Sequence, residues 1–320
     1  MSEPLISVVM PVKNGGDKLR QALEAIFKQT LIHQTEVVVV DSGSDAYTMD
    51  ILRQYPVRLF QISPASFNHG GTRNYGVQQA GGKYVVLTVQ DAVPVDENWL
   101  QHLLNGFVED DVAAVCGQQV VPHSSSNNPV EWFRPVSTPV IRQVQYSPGS
   151  FERLSPAEQR RQCKWDDVNA CYRRDVLMQY PYRQVQFGED VWWAKDALSL
   201  GLKLVYNTHA QVYHYHFEDA AFIKKRTLIE WFTLYEVFNL QPSKPAGVSF
   251  KKLLSWSKAI FFAGNMSFAK KINWLRYNIK TTRLKQEIYS TWQQAVQQGR
   301  LHDLGKMLYS DVPMPQNTTV

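Results

Sequence analysis

Tyr84–Pro94, YVVLTVQDAVP, is an apolar β-type run that ends abruptly at a lone carboxylate, Asp91, before Ala92-Val93-Pro94. A buried strand here delivers an acid to the edge of a sheet. In open α/β sheets, ligands collect in the crevice outside the carboxyl ends of the strands. An acid in that crevice is placed to hold a divalent cation against a phosphate. A strand followed by an Asp-containing turn is the plainer reading of the same string.

The chain on either side repeats this event. Leu5–Val12 (LISVVMPV) is a continuous apolar run, closed by Pro11 and then Lys13-Asn14-Gly15-Gly16, and predicts a buried parallel strand entering a loop at the ligand edge. Asp17–Gln29 follows with helical spacing of Leu19, Leu23, Ile26 and Phe27. Glu36–Val40 is a second buried strand, again ending at a carboxylate, in Asp41-Ser42-Gly43-Ser44. Thr48–Gln54 reads as a short helix and Val57–Ile62 as a third strand, so β and α alternate as in a doubly wound sheet. Ser66–Gly76 (SFNHGGTRNYG) reads as a glycine-rich loop leading into a helix. Its Arg73 and helix start favour an anion, but it lacks the GK[ST] ending of a P-loop.

Downstream, Trp99–Val108 predicts a helix and Val112–Gly117 a strand, whereas Gln118–Lys164 loses periodicity and reads as an irregular flap on the acceptor side. Val168–Tyr172 is a short strand. Phe187-Gly188-Glu189-Asp190 opens a helix that runs to Leu200, with two carboxylates in its first turn. Lys203–Tyr206 and Gln211–His214 follow as short strands. His214 and His216, two residues apart, point the same way from a strand end, and with Asp91 form a candidate metal-ligand set. Phe217–Leu240 is a long aromatic-rich helix.

Composition bounds the class. With 320 residues, 44% of them hydrophobic, the chain can bury a substantial core plus an appended segment. Cys116, Cys163 and Cys171 have no CxxC spacing, which favours free thiols in a reducing compartment over a disulfide framework or zinc cluster. No apolar run approaches the ~20 residues of a membrane span, so the expectation is a cytoplasmic protein. The net charge is +5, yet Val237–Gln286 holds ten basic residues and no acid, so the remainder carries 5 − 10 = −5. That asymmetry suggests an anionic surface as partner. The segment splits into two amphipathic stretches, with Phe250, Leu253, Leu254 and Phe261 opposing Lys251, Lys252 and Lys258, then Phe268, Ile272, Leu275 and Ile279 opposing Lys270, Lys271, Lys280 and Arg283. Trp256 and Trp274 lie near the apolar side, as suits a bilayer interface.

PVKN, VVVVDSGS, FNHGGTRN, LTVQDAVP, NACYRR, FGEDVWWA and VYHYH occur in one order. In this the chain resembles the family 2 glycosyltransferases of the GT-A fold, and more narrowly the bacterial dTDP-L-rhamnosyltransferases that build surface glycans. The similarity covers roughly residues 5–235. It implies a Rossmann-like nucleotide-diphospho-sugar transferase domain over 1–240; the charge and amphipathic pattern, not the resemblance, sets 241–320 apart as a C-terminal helical, basic segment.

The resemblance also implies roles. Asp41 would contact the pyrimidine, with Pro11 and Asn14 shaping that pocket, and Arg73 would reach the base or the diphosphate. Asp91 would be the surviving metal ligand of the DxD motif, holding Mg²⁺ or Mn²⁺ with the diphosphate and His214 or His216. Val89 stands where many relatives carry the first Asp of that motif. Asp190 would be the catalytic base of an inverting transfer, with Glu189 beside it facing the acceptor. The donor would be dTDP-rhamnose, the acceptor a lipid-linked glycan, and residues 244–285 would meet the inner face of the membrane. A UDP-hexose donor is the nearest alternative. A non-catalytic nucleotide-sugar binder is a second, and a nucleic-acid binder, the least expected partner, a third.

Overall fold

The computed structural model describes residues 3–132, 138–264 and 266–310. The chain forms two units, residues 1–119 with 137–214, and residues 120–136 with 215–320.

The first unit is built on one mixed sheet. β1 (Ile6–Val12), β2 (Thr35–Asp41), β3 (Arg58–Gln61) and β4 (Tyr84–Thr88) pair in parallel in the order β3-β2-β1-β4. Their Val/Ile runs are covered on both faces, which is why Val37–Val40 and Val85–Leu87 show no polar alternation. α1 (Gly16–Phe27) buries Leu19, Leu23 and Ile26 as its spacing predicts. α2 (Ala46–Leu52) follows β2, its first turn capped by Asp45, whose carboxylate accepts from Thr48 N.

HGGTRNYG departs from expectation. It is helical, forming most of α3 (His69–Gln79). The Asn68 carboxamide accepts from Gly71 N at 2.9 Å and starts the helix in spite of two glycines. Gly76 serves packing rather than flexibility. A Cβ there would sit 2.4 Å from Val9 Cγ1, so its absence lets α3 lie directly on β1.

The opening stretch combines its two readings. β4 stops at Thr88, the chain turns with Ala92 N donating to Val89 O at 3.2 Å, and β5 (Val93–Pro94) runs antiparallel to β9 (Lys203–Tyr213). Asp91 therefore stands in a turn between two strands of one sheet. α4 (Trp99–Leu104) leads to β6 (Val112–Val120). β8 (Asn169–Arg173) inserts antiparallel between β4 and β6, so the sheet is mixed rather than a parallel doubly wound one.

The irregular stretch 118–164 carries more structure than expected. β7 (Ile141–Val144) pairs antiparallel with β9, and α5 (Pro156–Gln162) starts on a Ser155/Glu158 capping box. β9 is one strand where two were expected, because Asn207–Gln211 stays extended from the residues that pair with β7 to those that pair with β5. α6 (Arg174–Gln179) and α7 (Glu189–Ser199) complete the unit.

The second unit is helical, comprising α8 (Ala220–Phe238), α9 (Phe250–Phe261), α10 (Phe268–Gln297) and α11 (Leu301–Ser310). Its division from the first differs from the expected break at residue 240. α8 packs on α10 and α11, with Trp231 edge-on to Trp292 at 6.1 Å and Phe232 against Tyr309 at 5.5 Å. Residues 120–132 join this unit, where Asn128 Nδ2 donates to Asn278 Oδ1 at 2.8 Å in a buried amide pair.

The amphipathic reading of α9 is corrected. Its inner face is Leu253, Trp256 and Ile260, packed with Trp274, while Phe250, Leu254 and Phe261 point outward beside Lys251 and Lys258. The two tryptophans are core residues of this unit. No helix among the described residues is long and apolar enough to cross a membrane.

Candidate active site

The carboxyl ends of β1 and β2 bring three of the expected nucleotide-pocket residues together. Register places Val12 beside Asp41 and Pro11 beside Val40. Asp41 is buried, and its oxygens accept from Gly43 N and Ser44 N of its own turn, both at 3.2 Å. Asn14 adopts φ +50°. In that conformation its Oδ1 accepts from Asp45 N and its own N–H donates to Ser44 Oγ, both at 2.9 Å, tying the β1 loop to the β2 loop. Gln90 fastens the same loop from the other side. Its carboxamide accepts from Lys13 N at 2.9 Å and donates to Lys13 O at 3.0 Å. Sequence reasoning passed over Gln90, although its place beside Asp91 at the end of the opening stretch was a signal.

Arg73 is not at this pocket. It is 4% exposed and inside the protein, with Nη2 donating to Asp167 at 3.0 Å, Nη1 to Glu189 at 2.9 Å, and Nη1 also to His69 O at 3.1 Å. Burial works against its charge, but Asp167 and then Glu189 outweigh it, so its pKa is raised. A guanidinium 4% exposed and held on both carboxylates does not present its fork to a base or a diphosphate. The expectation for Glu189 changes with it, since Glu189 is 6% exposed and faces Arg73 rather than an acceptor. Both residues position α7. Asp167, the third member, lies 94 residues from Arg73 and left no local trace in the sequence.

Asp190, one position further along α7, turns the other way. Gly188, at φ +77°, sets the angle at which the helix starts, and Asp190 is half-buried with Oδ1 accepting its own-helix Val191 N at 2.7 Å. Oxygens of Asp166, Asp167 and Asp190 lie within 4.8 Å of one another. One guanidinium cannot balance Glu189 and these three acids, so a proton is held among them, and burial raises Asp167 well above the usual carboxylate range as well. Burial first, then the charges of Glu189 and Asp166, push Asp190 up to about 7. That is where a general base at neutral pH works best. Trp193 of α7 is locked behind it, 4.8 Å edge-on to Tyr172 and 5.6 Å from Trp165.

Asp91 sits with Lys18 Nζ 3.9 Å from Oδ2 and His214 Nε2 3.5 Å from Oδ1. The state of His214 follows from its neighbours. The Gln119 carboxamide donates its NH₂ to Asp166 and turns its Oε1 to His214 Nδ1, 2.6 Å away. Nδ1 must then carry the hydrogen, and Nε2 presents its lone pair toward Asp91. This donor set, one carboxylate and one oriented imidazole, fits a divalent ion. His216 lies two residues on, exposed, among the first residues of the second unit. Val89 packs against the core. Gln119 was missed as well; it hydrogen-bonds Asp166, one of the acids beside Asp190, on one side and His214, 3.5 Å from Asp91, on the other.

The model of Glycosyl transferase family 2 matches residues 7–179, which include Asp41 and Asp91 and stop short of Asp190. The chain is 30% identical over 219 residues to the O-antigen chain rhamnosyltransferase RfbN of Salmonella typhimurium, the match covering 66% of each chain. It is also 30% identical to the O-antigen chain rhamnosyltransferase WbaN of Salmonella anatum, over 67% of each. Among solved structures, mannosyltransferase PcManGT from Pyrobaculum calidifontis, in complex with GDP-Man and Mn²⁺, superposes with a TM-score of 0.55 at 16% identity, over 98% of this chain and 89% of that one. Staphylococcus aureus TarS 1–349 with UDP-GlcNAc gives 0.51 at 15%, over 92% of both. These likenesses establish the GT-A-like α/β fold, and the family match covers more than half of the sequence. The chain belongs to family 2 of the glycosyltransferases.

Proposed function

We propose that this glycosyltransferase moves L-rhamnose from dTDP-L-rhamnose, with inversion, to a hydroxyl of a lipid-linked glycan at the cytoplasmic face of a membrane. Asp190, held near pH 7 by burial and neighbouring acids, is the observation that carries the chemistry. The two O-antigen rhamnosyltransferases at 30% identity support the donor sugar.

In this reading Pro11, Asn14 and Asp41 receive the nucleoside. Asp190 takes the proton of the acceptor hydroxyl as that oxygen attacks the anomeric carbon, and the bond to the diphosphate breaks with its electron pair leaving on the diphosphate. Asp91 and His214 would hold Mg²⁺ or Mn²⁺, which supplies countercharge to the departing diphosphate. Arg73, Glu189 and Asp167 keep α7 and hence Asp190 in place. The basic segment 244–285 meets the membrane that presents the acceptor.

The test is turnover of dTDP-rhamnose, UDP-hexoses and GDP-mannose by the purified protein, each with and without EDTA. dTDP-rhamnose alone is expected to be consumed, and EDTA to slow its loss. Turnover of a UDP-sugar with dTDP-rhamnose untouched would remove the rhamnosyl assignment and keep the transferase.

A further inference from the structure

We propose that the outward face of α9, together with Phe262 at its C-terminal cap and the first residue of α10, is an insertion face that seats phenylalanines in the interfacial layer of an anionic lipid bilayer. The inference rests on the membrane reading of segment 244–285 and names the side chains that do the work.

The first observation is exposure. Phe250 is 80%, Leu254 61%, Phe262 84% and Phe268 70% exposed, and Phe261 packs at a tilt against Phe268 with ring centroids 5.8 Å apart. The helix already has its inner apolar face in Trp256 and Ile260, 7% and 0% exposed. Packing within the unit therefore accounts for one side of α9 and leaves the other apolar side in water. Contiguous apolar surface of this kind marks a docking site.

The second observation is charge. Lys251 and Lys258 are exposed on the same face, within a stretch of fifty residues that has ten cations and no acid. A second copy docking face to face would bring these cations together and be repelled. A nucleic acid would satisfy the lysines but offers no hydrocarbon for Leu254 on a convex helix. An anionic bilayer satisfies both, with acyl chains for the phenylalanines and headgroups for the lysines.

Sedimentation with phosphatidylcholine vesicles, with and without phosphatidylglycerol, tests this on the full chain. Wild type should bind the phosphatidylglycerol vesicles, with high salt weakening binding. The Phe262→Asp/Phe268→Asp variant should bind about tenfold or more weakly, with unchanged circular dichroism and unchanged donor turnover. As a second readout, a Phe262→Cys variant carrying an environment-sensitive dye should brighten on the same vesicles. Equal sedimentation of the Asp variant, or a dye that stays dark, overturns the insertion face while leaving the basic segment as the membrane contact. If wild type fails to sediment, or instead dimerises or retains an oligonucleotide, both readings fall, and donor turnover still decides the transferase assignment separately.

Discussion

Asp190 and Glu189 are neighbours in sequence and opposite in environment. Successive residues of a helix project about 100° apart, so one carboxylate meets Arg73 while the other is left among acids. The sequence showed the pair and the helix start but not which acid each direction would serve. The raised pKa of Asp190 has two consequences of definite sign. Between its ordinary value of 3.8 and about 7, the folded state holds a proton that the unfolded chain has released, so this group's contribution to stability falls as pH rises through that window. The carboxylate that the proposed base requires appears only above it. We therefore expect kcat/KM to rise with unit slope up to about pH 7 and then level. Asp190→Asn should lose about 10²–10⁴-fold in rate while raising Tm at pH 8 by roughly 2–4 °C. A pH-rate profile already flat at pH 6, or a Tm that falls, contradicts this account. Gln119 acts through His214, and its loss frees the imidazole to rotate and change tautomer. Gln119→Leu should raise the Mn²⁺ concentration for half-maximal activity about 10–100-fold, and an unchanged midpoint in a Mn²⁺ titration would refute the orienting role.

At the level of elements, the sheet edge was legible because each strand ends its apolar run at a polar residue, as at Val12-Lys13, Asp41 and Asp91. What the sequence hid is the clamp among α3, α7 and the approach to β8. Arg73 looked like an anion binder at a glycine-rich turn; the Asn68 cap makes the turn a helix and points Arg73 inward. The clamp ties three elements by ion pairs that are 4–8% exposed, so breaking it is costly. Arg73→Met should destabilise the protein by about 3–5 kcal/mol, because it leaves Asp167 and Glu189 buried without a countercharge. Chemical denaturation measures this, and a loss below about 1 kcal/mol would mean the ion pairs are replaceable.

At the level of the molecule, the chain crosses between its units at residues 119/120, 136/137 and 214/215. Composition marked the basic segment but could not mark these crossings, because α8 is apolar on most of its circumference and reads equally well as the end of either unit. A cut at 240 would leave Leu228, Ile229, Phe232, Val237 and Phe238 of α8, all buried in the whole chain, without α10 and α11 over them. Residues 1–240 alone are therefore expected to aggregate in size-exclusion chromatography. A monodisperse fragment would show that α8 holds to the first unit unaided.

The buried pairing of Asn128 with Asn278 spans 150 residues of chain. Its thermodynamic penalty is small, since loop-closure entropy grows only logarithmically with length, but its timing is not. On a ribosome adding ~5–20 residues per second, residues 120–132 emerge roughly ten to thirty seconds before the helix that will cover them. During synthesis that strap waits with its partner unmade, and a helix made 150 residues later completes a structure begun near the middle of these 320 residues.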